Sequence, residues 1–230
     1  MIALKEYITE KLKINSNIEI GIKPKDKEEL KNILYKRIKE NPNADLNDID
    51  VSEIENMSML FLALRPGKID ISEWDVSNVK NMNSMFFGCK HLECDVSKWN
   101  VSNVTTMDRM FYECERFTSD LSNWDVSNVD QMTSMFKDCK NFNSDLSKWD
   151  VSKITNMTQM FYCCKKFNSD LSNWNVSKVT KMNEAFAFCS SLNSDFTKWN
   201  FNMCDLHNRN SMFIKCLSMS NQNFPKWYRK

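Results

Sequence analysis

The stretch that decides the fold is FTSDLSNWDVSNVDQMTSMF, residues 117–136, which returns 25 residues later as FNSDLSKWDVSKITNMTQMF, residues 142–161. Six tryptophans keep the same spacing without any insertion or deletion: Trp74, Trp99, Trp124, Trp149, Trp174 and Trp199. A fixed period of roughly 20–50 residues is the sequence signature of a repeat architecture. We therefore interpret the chain as a series of 25-residue units before considering any local motif.

Further columns of like residues follow the same count. They include Phe86, Phe111, Phe136, Phe161 and Phe186, and also Cys89, Cys114, Cys139, Cys164 and Cys189. So short a unit cannot bury its apolar side chains alone, but stacked units would place Phe on Phe and Cys on Cys. Within each unit, the alternation of S-D-L-S predicts a half-buried strand, and V-x-x-M-x-x-M-F predicts one or two turns of α or 3₁₀ helix.

These features predict a β-solenoid with short helical segments, an α/β architecture similar to leucine-rich repeats, with about seven 25-residue rungs. We expect one continuous domain in three parts: an N-terminal helix and strand cap over residues 1–44, the repeats over 45–199, and a degenerate repeat with an irregular cap over 200–230. The last part is atypical because its M-F-x-x-C motif arrives two residues late, at Met212–Cys216.

The N-terminal cap carries its own helix signals. Asp26 followed by Glu29 is typical of a capping box, and the apolar stripe that follows ends at Asn41-Pro42. The members of that stripe are Leu30, Ile33, Leu34 and Ile38. We also predict a short helix over residues 3–13 and a strand over residues 18–22.

The repeats resemble the BspA-like leucine-rich repeats of bacterial surface proteins, whose signature is N-x-D-L-S-x-W-D-V-S-N-V-T-x-M-x-x-M-F. Residues 117–136 and 142–161 match it almost throughout, and the resemblance covers residues 45–199 with a degenerate continuation to Trp227. It implies a leucine-rich-repeat fold. Proteins with such repeats occur as surface lipoproteins or adhesins, and also in phages and large DNA viruses.

Composition excludes several classes of function. Thirty-one Lys and Arg stand against thirty Asp and Glu, and the repeats over residues 45–199 are acidic, so we expect no nucleic-acid partner. No apolar run approaches the ~20 residues of a membrane span. The first thirteen residues, MIALKEYITEKLK, lack the apolar core of a signal peptide, so we expect a cytoplasmic protein.

Candidate chemistry is sparse, and we expect neither an enzyme nor a bound cofactor or metal. An aspartate column admits two readings, a cation ladder or a series of side-chain-capped turns, and the second is favoured because no calcium-binding repeat is present. Its members are Asp70, Asp95, Asp120, Asp145, Asp170 and Asp195. Cysteines of the repeat column should be buried and inert, whereas Cys163 should face outward as a candidate reactive thiol. The only two histidines, His91 and His207, have no catalytic partner pattern.

One slot breaks the polar pattern outside the core columns. The partner-binding residues that we predict from it are Phe87, Tyr112, Lys137, Tyr162 and Phe188. Aligned on successive units, they would form a strip of the residue types enriched at binding hot spots, although packing on neighbouring units is an equal alternative. The expected function is non-catalytic protein–protein recognition, for example by a phage, viral or bacterial inhibitor of a host protein. The alternatives are a structural or adhesive component of a surface or virion, and cation or carbohydrate binding by the aspartate column.

Overall fold

The computed structural model describes residues 21–200, 211–226 and 228. The helix predicted over residues 3–13, most of the strand predicted over 18–22, His207 and Trp227 lie outside the described residues. At the start of the described chain, Ile22 forms an isolated parallel bridge with Ile49. None of the helices in these ranges is long and apolar enough to cross a membrane.

Helix α1 spans Lys27–Glu40 and begins as its sequence signals indicate. The Glu29 N–H donates to Oδ1 of Asp26 at 2.9 Å, and the Glu29 carboxylate accepts from the N–H of Lys25 at 2.9 Å. These bonds satisfy N–H groups that a helix start leaves unpaired. One apolar face of α1 is buried against the first repeat unit and consists of Leu30, Leu34 and Ile38. The helix therefore covers the N-terminal end of the repeats.

Each repeat unit is a succession of tight turns. In D-L-S-N-W, the Ser122 N–H donates to Oδ1 of Asp120 at 2.9 Å, and the Trp124 N–H donates to the carbonyl of Leu121 at 3.1 Å. The M-x-x-M-F segment continues with the same three-residue spacing, from the Met135 N–H to the Met132 carbonyl at 3.2 Å. The chain thus forms a hydrogen-bonded turn every few residues.

The prediction of a β-solenoid is wrong. Among the described residues there is no β-strand, and adjacent units share only isolated parallel bridges. The chief series of bridges is Asn56↔Asn81, Asn81↔Thr106, Thr106↔Gln131, Gln131↔Asn156 and Asn156↔Lys181. The helical segments expected inside the units are also absent from the described part, where helices occur only at Lys27–Glu40 and Asn221–Asn223. The solenoid and leucine-rich-repeat classes are therefore not supported.

The physical reason lies in the direction of the hydrogen bonds between units. Four N–H groups of one unit all donate to carbonyls of the next: Met82 to Thr106, Ser84 to Asp108, Phe86 to Met110 and Gly88 to Tyr112, at 3.1, 2.8, 2.9 and 2.8 Å. In a parallel sheet, the intervening N–H groups would donate to the strand on the other side, but those of Met85 and Phe87 donate within their own unit, to the carbonyls of Met82 and Ser84 at 3.2 and 3.1 Å. Left-handed backbone at Ser84 and Gly88, with φ of 54° and 73°, interrupts the extended conformation that a strand requires. A β-ladder cannot form in this geometry.

Like side chains stack on like side chains in the core. Phe86 and Phe111 are parallel within 8° at a centroid distance of 5.5 Å, and Phe111 continues to Phe136 at 5.7 Å. Trp74 and Trp99 are parallel within 4° at 6.3 Å. These rings are almost entirely buried, so the apolar interior extends continuously from unit to unit.

Both the tryptophan and the cysteine columns also donate hydrogen bonds to the preceding unit. Trp124 Nε1–H donates to the carbonyl of Val96 at 3.0 Å, and Cys139 Sγ–H donates to that of Phe111 at 2.9 Å. The same two bonds recur at Trp74, Trp99, Trp149, Trp174 and Trp199, and at Cys89, Cys114, Cys164, Cys189 and Cys216. The accepting carbonyls are also paired inside their own unit, that of Val96 with the Trp99 N–H at 3.2 Å and that of Phe111 with the Cys114 N–H at 2.9 Å. Each column therefore adds a second hydrogen bond to the unit before it.

The C-terminal end is irregular, as its late motif predicts. Phe213 stacks on Phe186 with a centroid distance of 5.6 Å and an angle of 9°, which extends the core by one more layer. Phe224 and Tyr228, which both follow the 3₁₀ helix Asn221–Asn223, then pack against Phe213 at 5.4 and 5.3 Å. These aromatic side chains cover the last described layer of the core.

Candidate protein-binding surface

The five predicted site residues lie side by side on the surface and touch in sequence order. Phe87 and Tyr112 are parallel within 8° with their centroids 4.6 Å apart. Lys137 Nζ lies 5.4 Å from the centroid of Tyr112 and 4.8 Å from that of Tyr162. Tyr162 meets Phe188 edge to face at 5.3 Å. We call these five residues the aromatic strip.

Backbone hydrogen bonds between consecutive units hold the strip in register. The Gly88 N–H donates to the carbonyl of Tyr112 at 2.8 Å, and the Glu113 N–H donates to that of Lys137 at 2.7 Å. The same bond follows from Asp138 to Tyr162, from Cys163 to Ala187 and from Phe188 to Ile214. The strip is therefore built on a rigid backbone, which suits a recognition surface because little order must be gained on binding.

Lys137 is the centre of the strip. Its ammonium lies over two tyrosine rings, a favourable cation–π geometry. It also donates to Oε1 of Gln159 at 3.0 Å, and Gln159 Nε2 donates to the Glu184 carboxylate at 2.7 Å. This chain of contacts orients the lysine without a direct ion pair. The position of the ammonium is thus defined by neighbouring units.

The strip is partly exposed. Phe87, Tyr112, Lys137 and Tyr162 are half-buried, while Phe188 is exposed at 37% of its surface. Ala187, which holds the repeat slot itself, is buried, so the strip continues one residue later. Both interpretations of the sequence therefore describe the geometry: the side chains pack on neighbouring units, and they still present surface to solvent.

Sequence reasoning missed apolar residues at both ends of the strip. Leu62 stands 25 residues before Phe87 and is 37% exposed, and Ile214, whose carbonyl accepts from Phe188, is 44% exposed. The first could have been found from the period. The second could not, because the last repeat is out of step by two residues.

Cys163 does not have the surroundings of a reactive thiol. It is half-buried, and burial together with the nearby Asp138 carboxylate raises its pKa. A raised pKa lowers the fraction of thiolate, which is the nucleophilic form. The structure therefore argues against the prediction that this cysteine is reactive.

The aspartate column forms turns, as the favoured interpretation predicts. In each described unit, the aspartate Oδ1 accepts from the backbone N–H two residues later, for example from Ser147 to Asp145 at 2.9 Å. The other bonds of this kind join Ser72 to Asp70, Ser97 to Asp95, Ser122 to Asp120, Ser172 to Asp170 and Thr197 to Asp195. In the described part of the chain, no three His, Cys, Asp or Glu side chains are grouped so as to hold a metal ion.

A polar groove of about 1010 Å³ lies beside the first units and was also missed. Lys68, Asp95 and Arg116 line it, together with Cys94. Cys94 occupies the position at which later units have Ser119 and its equivalents. The Ser119 hydroxyl accepts from the N–H of Val96, in the preceding unit, at 3.0 Å. Arg116 is already paired with Glu93 at 3.4 Å, and the groove presents no aromatic face.

Comparison with known proteins gives a family but no activity. A family model described as "Mycoplasma protein of unknown function, DUF285" matches residues 28–149 and 131–230. No curated protein and no solved structure matches the chain. The resemblance to BspA-like repeats is not tested by this match and stays a prediction. Since the matched ranges cover most of the sequence, the chain belongs to the DUF285 family.

Proposed function

We propose that the chain recognises a protein partner, without catalysis, through the aromatic strip. The observation that carries this proposal is the continuity of the strip: five side chains from consecutive units form one unbroken line of contacts at the surface. Tyrosine and other large aromatic side chains are enriched at binding hot spots because they bury much area with few rotatable bonds.

The core does not require the strip. The buried phenylalanine and tryptophan columns already fill the interior of each unit, and the strip slot accepts Lys137 without breaking the stack. Aromatic and aliphatic side chains that remain partly exposed in a row, with Leu62 and Ile214 at its ends, form an apolar patch. Contiguous patches of this kind typically mark interaction sites.

The location that fits this proposal is the cytoplasm. The eight described cysteines are free thiols, and reduced thiols are usual in a reducing compartment. A partner met in the same compartment could be an enzyme or regulator of a host cell. Inhibition by occupation of the partner's surface would need no chemistry from this chain.

Capture from a lysate of the native host tests the proposal. The tagged wild-type chain is compared with F87A/Y112A/Y162A and with N123A/K148A/N173A, a control that alters three exposed residues of the aspartate-turn side. We expect the strip variant to lose a protein that wild type and control retain, since most hot-spot energy resides in a few large side chains. Thermal melting of all three proteins shows whether each is folded.

Equal capture by the folded strip variant would contradict the proposal. A conservative variant, K137M, guards against loss of fold, because it keeps most of the aliphatic side chain and removes the charge together with the hydrogen bond to Gln159. If the retained protein is a component of an envelope or virion, the adhesive or structural alternative gains support.

A further inference from the structure

We infer that the partner presents an acidic polypeptide segment to the aromatic strip. This inference rests on the proposed function and adds the chemistry of the partner. It is carried by two independent observations: which parts of the strip rings remain open to solvent, and which charges around the strip remain unpaired.

The faces of the central rings are already covered. Phe87 lies flat on Tyr112 at 4.6 Å, and the Lys137 ammonium lies over both Tyr112 and Tyr162. A partner therefore meets mainly ring edges, tyrosine hydroxyls and one ammonium. The edge of an aromatic ring is the positive part of its quadrupole, and the hydroxyl can donate. Carboxylates and carbonyl oxygens complement such a surface, whereas flat apolar rings would find no free face.

Positive and negative charges are distributed unequally between two parts of the sequence of each repeat unit. The strip-bearing segments are residues 57–69 and their equivalents at 82–94, 107–119, 132–144, 157–169 and 182–194, and together they contain nine Lys or Arg and six Asp or Glu. The rest of residues 45–199 contains seven Lys or Arg and sixteen Asp or Glu. The strip-bearing segments thus carry net positive charge, although the repeats as a whole are acidic.

All six acidic residues of the strip-bearing segments are engaged. Three form ion pairs, at 3.4 Å between Glu93 and Arg116, 3.5 Å between Glu113 and Lys90, and 2.7 Å between Glu115 and Lys140. The other three form hydrogen bonds: Asp108 with the Thr133 N–H, Asp138 with Cys163, and Glu184 with Gln159. These three carboxylates keep their negative charge, so the six acidic residues reduce the nine positive charges of the strip-bearing segments to a net charge of +3.

Five basic residues of the same segments are exposed and form no ion pair within the described chain: Arg65, Lys68, Arg109, Lys165 and Lys166. Lys165 lies near the strip, because its charge acts on the thiol of Cys163, the residue that follows Tyr162. Lys165 and its neighbour Lys166 are thus available to a partner beside the strip, whereas Lys68 lines the polar groove together with Asp70 and Asp95. Complementary charge of this kind raises the association rate and excludes partners of the wrong sign.

A nucleic acid also carries negative charge, but it fits this surface less well. Proteins that bind single strands stack bases on exposed aromatic faces, and the central faces here are occupied. An acidic polypeptide needs only edges, hydroxyls and ammonium groups, all of which the strip presents.

Binding of defined polymers to the full-length chain tests the inference. The probes are a random copolymer of glutamate and tyrosine, poly-L-lysine and oligothymidylate, each measured at low and at physiological salt. We expect the copolymer to bind, to weaken as salt screens the charges, and to bind K137M/K165Q/K166Q about tenfold more weakly. The matched control K148Q/K178Q/K198Q removes three lysines from the acidic side and should bind as wild type does.

Three results would overturn the inference: no binding of the glutamate–tyrosine copolymer, equal binding by the two lysine variants, or tighter binding of oligothymidylate than of the copolymer. The last result would identify a phosphate polymer as the ligand. If F87A/Y112A/Y162A loses its captured host protein while the copolymer fails to bind wild type, the proposed function stands and only the acidic partner is rejected.

Discussion

Cys139 donates its thiol to the carbonyl oxygen of Phe111, 28 residues earlier in the chain, with sulfur and oxygen 2.9 Å apart. Both residues are completely buried. The bond connects one unit to the preceding unit and is the second that this carbonyl accepts, since the Cys114 N–H also donates to it at 2.9 Å. The cysteine column is therefore more than a series of small apolar side chains, and its contribution to stability can be measured.

We expect C139A to be less stable than C139S by about 1 kcal/mol, which is the usual value of a buried hydrogen bond. The serine hydroxyl can still donate to Phe111, whereas alanine removes this second bond at nearly the same side-chain volume. Urea denaturation of the two variants measures the difference. Equal free energies of unfolding would show that the thiol bond contributes nothing.

The buried thiols should also be chemically inert in the folded chain. Burial raises the pKa of Cys89 and of Cys216 to about 12, so almost no thiolate is present at neutral pH. We expect modification of the column cysteines by a thiol-reactive dye to proceed only at the rate of unfolding. Reaction at pH 8 in native buffer, compared with reaction in denaturant, measures this. Fast labelling of Cys89 while the tryptophan fluorescence stays native would contradict the assignment.

The left-handed backbone of each unit predicts a pair of substitutions with opposite effects. Gly88 has φ of 73°, and a Cβ there would meet no atom within 4 Å, so G88A should cost about 1 kcal/mol through backbone conformation alone. Ala63 occupies the equivalent position with φ of 67°, and A63G should stabilise by about 0.5 kcal/mol, because relief of strain exceeds the entropy that glycine adds to the unfolded chain. Thermal melts that shift in the same direction for both variants would count against the turn geometry.

The aspartate turns predict a pH dependence. Hydrogen bonds from Ser147 hold the pKa of Asp145 below its usual value in the folded chain. A lowered pKa adds stability above the unfolded value of about 3.9, and this stability is lost as pH falls through the folded value. We therefore expect D145A to be destabilised by about 1 kcal/mol at pH 7 and D145N by less, because asparagine keeps the turn.

The difference in unfolding free energy between wild type and D145N should then shrink as the pH falls below about 4. A difference that stays constant down to pH 2.5 would show that the carboxylate charge has no role in the turn. Asparagine already occupies the second turn slot at Asn100 and Asn175, where Oδ1 accepts from Ser102 and Ser177 at 3.2 Å.

The period identifies the neighbours of a residue in the stack, but it does not reveal the path of the backbone. Trp99 follows Trp74 in sequence and in space, and Tyr112 follows Phe87 in the same way. The strand and helix predictions within the repeat units were wrong because the left-handed positions carry no sequence signal. Met59, Arg109 and Glu184 occupy one such position in different units, with φ of 56°, 54° and 55°. These residue types give no indication of left-handed backbone, which glycine or asparagine would have given.

The period also predicted which residues of the candidate strip are neighbours, but it did not predict the contacts between their side chains. Phe87, Tyr112, Lys137 and Tyr162 share one slot, so their proximity follows from the period. The placement of Lys137 between two tyrosine rings depends on Gln159, which comes from another slot of the following unit. Such a contact is set by side-chain geometry and cannot be inferred from spacing.

The most direct test of the strip as a recognition surface is hydroxyl-radical footprinting of the chain with and without its captured partner. We expect oxidation of Tyr112 and Tyr162 to slow by about tenfold in the complex, since a hot-spot side chain is shielded from solvent on binding. Unchanged oxidation of both tyrosines, with protection instead on the aspartate-turn side of the units, would contradict the account.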